Sequence, residues 1–276
     1  MTTESVRDGI REYRCIDWED FNKFVNEFST EPVERTTIIW RGQRDSKWPL
    51  ESSLTRLVKK IPKTEWVRVR DHVKNFAFAT RGRRGANPRL MPESADDDWW
   101  TLGRHHGLAT PLLDWTSSPY TAAFFAYAKK ESPHSKFRVV FGLSEKSVEW
   151  KSSEIYRQWK QKHDRLIAEG RPDRATELNE ADTIEFIRPM TDENQRLVSQ
   201  GGLFTRSPFR RDVVKWVSEH CKGDTHVRLH KVLLPDGERV KALKALNRMN
   251  INYLSLFPDL EGASLHCNMQ LSIDHY

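Results

Sequence analysis

The chain has 276 residues and a formal charge of +6, from 45 Lys and Arg against 39 Asp and Glu; it is long enough to bury a core without disulfide or metal staples. Hydrophobic residues make up only 37%, but 10 Trp, 13 Phe and 6 Tyr exclude a disordered chain, which lacks such rings. Three widely spaced cysteines, Cys15, Cys221 and Cys267, exclude a disulfide framework and a Cys-x-x-Cys metal knuckle, and no apolar run reaches the ~20 residues of a membrane span.

The first residues, MTTESVRDGIREYR, lack the apolar core of a signal peptide. A reducing, cytoplasmic setting without a membrane partner is expected. The positive charge permits an anionic partner, either nucleic acid or a phosphate-bearing ligand.

In chain order, Trp18, Phe21, Phe24, Val25 and Phe28 recur at helical spacing, so a helix with Asp17 as N-cap is predicted. Thr36–Trp40 is β-branched and apolar and reads as a buried strand ending in Arg41-Gly42-Gln43. A short helical piece follows at Ser53–Val58, then a helix over Glu65–Thr80. Arg81–Arg89 is a basic, glycine-bearing loop. Asp96–His106 is a helix with acids in its first turn, and Gly107 is its left-handed cap. Ser118-Pro119 starts a helix that is apolar on nearly every side. Phe137–Leu143 is a central strand, and Val148–Ala168 a charged, solvated helix. Thr183–Ile187 is a short strand, and Arg196–Thr205 a turn feeding another. Asp212–Cys221 is a helix and Val227–Leu234 a strand. Glu238–Met249 is an amphipathic helix whose stripe is Val240, Leu243, Leu246 and Met249. Asn252–Leu256 is a strand, and Pro258-Asp259 opens the last helix. No repeat or low-complexity linker interrupts the chain. The expected fold is α+β, a mixed and mostly antiparallel sheet with flanking helices in one domain. Residues 1–35 form an N-terminal helical region and 148–180 a charged helical insertion.

Four clusters bear chemistry. Arg41 ends a buried strand beside Gly42, where a guanidinium can fork onto phosphate or carboxylate and glycine admits a close ligand or backbone. The bland alternative is a structural arginine paired with an internal acid. His105-His106-Gly107, Asp114 and Thr116-Ser117-Ser118 crowd the approach to the apolar helix, whose N-terminus suits pyrophosphate. A metal site there is disfavoured because adjacent histidines do not easily face one ion, so no metal is expected. A serine hydrolase would want a G-x-S-x-G elbow, which is absent. A ligand-binding loop needs neither, and a capped helix with a hydrogen-bonded histidine is the structural alternative. Gln200-Gly201-Gly202 makes a tight turn, either at a cleft edge or in an ordinary hairpin. Asp259-Leu260-Glu261 is an acid pair that the helix dipole alone would explain. Two basic segments, with Arg81, Arg83, Arg84 and Arg89 in one and Arg206, Arg210 and Arg211 in the other, mix arginine with Gly, Pro or Phe; nucleic-acid contact and plain solvated loops both fit.

IIWRGQ, SSLTR (Ser52–Arg56), RHHGLATPLLDWTSSPYTAAFFA, RLVSQGGLF and YLSLFPDLEG resemble the FRG domain family, over about 38–262. Two departures stand out. Ala109-Thr110-Pro111 replaces the usual Pro-Thr-Arg, and Trp40 replaces Phe or Tyr before Arg41. The motif order in turn resembles the arginine-type ADP-ribosyltransferases. That resemblance implies an ADP-ribosyltransferase-like core, NAD as the substrate and ADP-ribose transfer to nucleic acid or protein, in a toxin or antiphage defence setting. By the same resemblance Arg41, Thr116, Gln200 and Glu261 would be catalytic. Arg41, Gly42, Gln43, His105, His106, Asp114, Thr116, Ser117, Ser118 and Tyr120 would hold the NAD. Trp115 or Tyr120 would stack on the nicotinamide, and the acid would be Glu261, Asp114 or Glu185. No Glu-x-Glu or Gln-x-Glu stands at Gln200, which keeps two rivals open: a non-catalytic nucleotide- or nucleic-acid-binding module, and a hydrolase of NAD or nucleic acid.

Overall fold

The computed structural model describes residues 2–3, 6–30, 37–62, 69, 71–84, 91, 96–176, 178, 180–188, 201–208 and 211–276. Its strands are β1 (Thr2–Thr3), β2 (Ile10–Arg14), β3 (Ile38–Gln43), β4 (Leu112–Thr116), β5 (Phe137–Ser144), β6 (Glu185–Ile187), β7 (Gly202–Arg206) and β8 (Leu229–Pro235). They form one sheet in the order β1-β2-β8-β5-β3-β4-β7-β6. β2 and β8 run parallel, and each other neighbouring pair is antiparallel. The expected α+β class with a mixed, mostly antiparallel sheet is what the chain adopts.

The helices are α1 (Trp18–Thr30), α2 (Ser53–Val58), α3 (His72–Ala79), α4 (Asp96–His105), α5 (Pro119–Tyr127), α6 (Glu145–Ala168), α7 (Pro172–Thr176), α8 (Val213–His220), α9 (Arg239–Arg248), α10 (Tyr253–Leu256) and α11 (Leu260–Ser272). They cover both faces of the sheet. On one face Trp40, Val140 and Val232 pack with Trp18, Phe21 and Phe24 of α1, Phe124 of α5 and Leu243 of α9. On the other Ile39, Phe141 and Leu233 pack with Val148 of α6 and Trp216 and Val217 of α8. Period-2 alternation along β3 therefore sends Trp40 and Ile39 into different cores.

Local chemistry explains most helix starts. Asp17 Oδ1 accepts from the Asp20 N–H at 2.9 Å, as the sequence predicts. Ser118 caps α5 by accepting from the Thr121 N–H at 3.2 Å, with Pro119 at the first helical position. Asp259 does the same for α11 through the Gly262 N–H at 3.0 Å. Gly107 follows α4 with φ +84°, the left-handed stop expected of it.

The α5 C-terminus is capped by two arginines. The fully buried Arg138 donates to the carbonyls of Ala126 at 2.7 Å and Lys129 at 3.0 Å, and Nε of Arg239 donates to the Tyr127 carbonyl at 2.9 Å. These cations satisfy helix carbonyls that have no intrahelical partner.

Three expectations are corrected. The N-terminal 1–35 region is not simply helical, because β1 and β2 precede α1; β2 joins the sheet edge through a parallel ladder to β8 that lies over two hundred positions away in sequence. The 252–256 segment is a helical turn, not a strand. Asn252 accepts from the Ser255 N–H at 3.1 Å while the Ser255 hydroxyl receives the Asn252 N–H at 3.2 Å, and this capping box overrides the β-like alternation. In α9 the buried stripe is Ala242, Leu243 and Leu246, while Val240 and Met249 are each 47% exposed. The helix is thus rolled about its axis relative to the expected stripe. Replacing Asn252 with alanine should lower stability by about 1 kcal/mol. The check is a reduced urea midpoint with an unchanged m-value.

Candidate functional site

β3 and β4 are neighbours, yet only Trp40 and Thr116 stand opposite one another in register. Beyond that pair the two strands part. A cleft of about 950 Å³ opens there, lined by residues of both strands, of β7 and of the surrounding loops. That size lies at the upper end of small-molecule sites.

Arg41 spans the split. Its Nη1 donates to the Asp114 backbone carbonyl at 2.7 Å and reaches Asp114 Oδ2 at 3.3 Å. From the other side, Arg104 Nε donates to Asp114 Oδ1 at 3.0 Å and its Nη2 to Oδ2, a bidentate fork. The third Arg104 nitrogen, Nη1, donates to Ser53 Oγ at 3.2 Å. One carboxylate thus holds two guanidiniums at the cleft wall.

Burial works to raise the Asp114 pKa, but Arg104 and then Arg41 outweigh it and hold the carboxyl down at about 2. The same carboxylate raises the Arg104 pKa. Burial, with Arg104 nearby, pushes Arg41 down against the pull of Asp114; a guanidinium nevertheless stays protonated. Arg41 Nε is buried and has no hydrogen-bond partner among the described residues.

The remaining wall is basic and aromatic. Arg44, Arg56 and Lys129 join Arg41 and Arg104, against Glu51 and Asp114 alone. Glu51 is itself engaged by Lys59. Trp40, Trp48, Trp115, Phe125, Phe204 and Phe257 supply rings. Gln43 shares the Arg41 face of β3, is buried, and its Oε1 has no partner among the described residues.

Several sequence expectations converge here. Arg41, Gly42, Gln43, His105, Asp114, Thr116 and Trp115 all line the cleft. Gly42 is needed because α5 lies on it; an added Cβ would meet the Ala122 carbonyl oxygen at 1.8 Å. Trp115 donates through its indole N–H to Thr205 Oγ1 at 2.8 Å and is buried.

Other residues stand apart from the cleft wall. His106 is exposed and meets His105 edge to face at 4.8 Å. Ser117 donates its backbone N–H to the Gly201 carbonyl at 3.1 Å, closing the turn before β7. Ser118 is the α5 cap, and Tyr120 packs against Trp18 and Phe21. Glu261 lies in the first turn of α11. Glu185 pairs with Arg206 on the edge strand. Gln200, Arg89 and Arg210 lie outside the described residues. Among the described residues no three His, Cys, Asp or Glu side chains converge as a metal site, and no helix is long and apolar enough to cross a membrane.

The basic segments are largely committed. Arg206 pairs with Asp97 and Glu185, and Arg211 with Asp182 and Glu219. Arg81 lies 4.3 Å over the Phe78 ring, Arg83 donates to the Ala79 carbonyl at 2.9 Å, and Arg84 lies 5.3 Å over Trp99.

Sequence reasoning missed Arg104, the second guanidinium on Asp114. Its signal was positional. One turn-end cation stands beside His105, ten residues before an acid at a strand centre, and the histidines drew the attention. It missed Ser53 as well, whose Oγ accepts from the Thr110 N–H at 3.0 Å and ties α2 to the loop before β4.

Residues 36–135 match the FRG domain family model. The match supports an FRG domain in this chain. That FRG stretch runs from β3 through α5 and contains Arg41, Arg104, His105, Asp114 and Thr116, so the split between β3 and β4 falls inside it. Gly202, Phe204 and Phe257 complete the wall from beyond it. Comparison with curated proteins and with solved structures returned no match.

Proposed function

We propose that the cleft between β3 and β4 binds NAD and that the chain is an ADP-ribosyltransferase-like enzyme. The observation that carries this reading is the pair of guanidiniums, Arg41 and Arg104, held at the cleft wall by the single carboxylate of Asp114. Two adjacent cations in a partly dry cleft suit a pyrophosphate, whose charge is spread over neighbouring oxygens. His105 and Thr116 also line this cleft, and their polar groups suit a ribose, although the Thr116 hydroxyl already accepts the Ser118 N–H at 3.2 Å. Gln43 offers a buried amide oxygen with no partner among the described residues, which suits an N–H donor on a base.

The reaction breaks the bond between the ribose anomeric carbon and the nicotinamide nitrogen. Nicotinamide leaves with the electron pair, the acceptor nucleophile forms the new bond to that carbon, and the acceptor's proton passes to solvent or to a base. Positive charge develops on the ribose, and a carboxylate stabilises it. Asp114 is a poor candidate for that role because both of its oxygens are taken by arginine.

One observation favours the non-catalytic reading. Both carboxylates of the cleft wall, Asp114 and Glu51, are spent in ion pairs. A pure binding module would look the same. Calorimetric titration with NAD, together with release of nicotinamide from labelled NAD, separates the two. Arg41→Ala should weaken NAD binding about tenfold, the worth of one charged hydrogen-bonding partner. Binding without nicotinamide release supports the module, and no NAD binding by the intact chain removes the whole reading.

A further inference from the structure

We propose that the Trp48 end of the cleft is a second subsite, which takes the bases and phosphates of a single-stranded nucleic acid. The proposal rests on the reading above only in leaving the dinucleotide to the Arg41 and Arg104 end.

The two ends differ in composition. At the second end Trp48 is 43% exposed although it lines the cleft. The Arg44 guanidinium lies 4.8 Å over its ring. Phe125 and Phe257 meet edge to face at 6.1 Å and continue the aromatic wall. Lys129 is exposed and has no ion pair among the described residues. Glu131, the acid on Arg44 at 2.8 Å, is 68% exposed, so solvent screens that pair and phosphate can compete for the guanidinium.

A half-exposed indole in a cleft with two cations is the kind of platform single strands use. Any base has a face to stack, and the cations follow the backbone. A duplex hides its base faces and cannot stack on one ring set in a cleft. A cationic peptide segment would be repelled by Arg44 and Lys129. The charge distribution elsewhere points the same way. Arg206 and Arg211, of one of the two basic segments in the sequence, are neutralised by four acids. Arg44 and Lys129, by contrast, stand in the cleft with the half-exposed Trp48.

The test uses the full chain and two titrations. A labelled single-stranded oligonucleotide of about ten nucleotides is titrated by fluorescence anisotropy, and NAD by calorimetry. Trp48→Ala should weaken oligonucleotide binding about tenfold, the lower range for loss of one stacked base, and leave NAD affinity unchanged. Trp48→Phe should restore most of the loss. Lys129→Glu, at an exposed position, should weaken oligonucleotide binding and flatten its salt dependence. Failure of the intact chain to bind the oligonucleotide overturns the proposal. So does equal binding of a duplex, an unaffected Trp48→Ala variant, or a parallel loss of NAD affinity, which would make the platform part of the dinucleotide site. Oligonucleotide binding that depends on Trp48, with no NAD binding at all, sinks the NAD reading and supports this one.

Discussion

Gly42→Ala should destabilise the whole molecule and not merely trim the site. The added methyl would stand 1.8 Å from the Ala122 carbonyl oxygen and 2.7 Å from the Ala126 nitrogen. Both atoms are helix backbone, so no side-chain rotation relieves the clash. Strand and helix would have to move apart, and α5 is packed into the central core through Ala122, Ala123, Phe124 and Ala126. Such overpacking costs on the order of 3 kcal/mol or more. For a chain of this size that lowers the melting temperature by about 10 °C. Differential scanning calorimetry reads the effect directly. A melting temperature within about 2 °C of the parent would show that β3 and α5 are not packed backbone to backbone.

Asp114→Ala should give the second largest loss, about 2 kcal/mol. Removing the carboxylate leaves two guanidiniums facing each other at a partly buried wall. Losing one partner of a buried ion pair costs 3–5 kcal/mol in a dry interior, and the value is reduced here because the Asp114 side chain is 40% exposed. The pH dependence has a definite sign. Arg104 and Arg41 hold the Asp114 carboxyl at about 2 in the folded chain, below the usual carboxylate range. Its contribution is therefore complete above pH ~4 and fades as the pH falls toward ~2. Urea midpoints of parent and variant, measured from pH 6 down to pH 2, should converge at the acid end. A constant gap over that range would mean that the carboxylate does not carry the interaction. Ligand affinity should fall as well, since Asp114 sets the direction in which Arg41 and Arg104 point.

Much of the framework was legible in the sequence because its determinants are local. Asp17, Ser118-Pro119 and Asp259 cap the helices they were expected to cap, through hydrogen bonds spanning three residues. Arg41 and Asp114, charges placed at apolar strands, were legible as candidates, and both line the cleft. What failed was decided at a distance. β2 has no marked alternation of its own and becomes a strand by pairing with β8. Val240 and Met249 fit the helical stripe, but the roll of α9 on its core leaves them in solvent. Ser117, Ser118 and Tyr120 lie close in sequence to Asp114 and Thr116, yet the chain turns into α5 between them: the Ser117 backbone N–H bonds the Gly201 carbonyl, the Ser118 side chain caps α5 and the Tyr120 ring packs in the core.

By itself the sequence determined that the chain is folded, that helices and strands mix, where most helices begin, and that an FRG-like arginine belongs to an apolar strand, which the structure carries on to Gln43. Only the tertiary structure decided which charges are available. It pairs Arg206 and Arg211 with acids from distant segments, and it turns Arg138 and Arg239 into caps for α5. It sets Arg104 against Arg41 through one shared carboxylate. The reason is physical. Capping and periodicity are written within a few residues, whereas the partner of a long, flexible cation is whatever acid or carbonyl the packed sheet brings within reach.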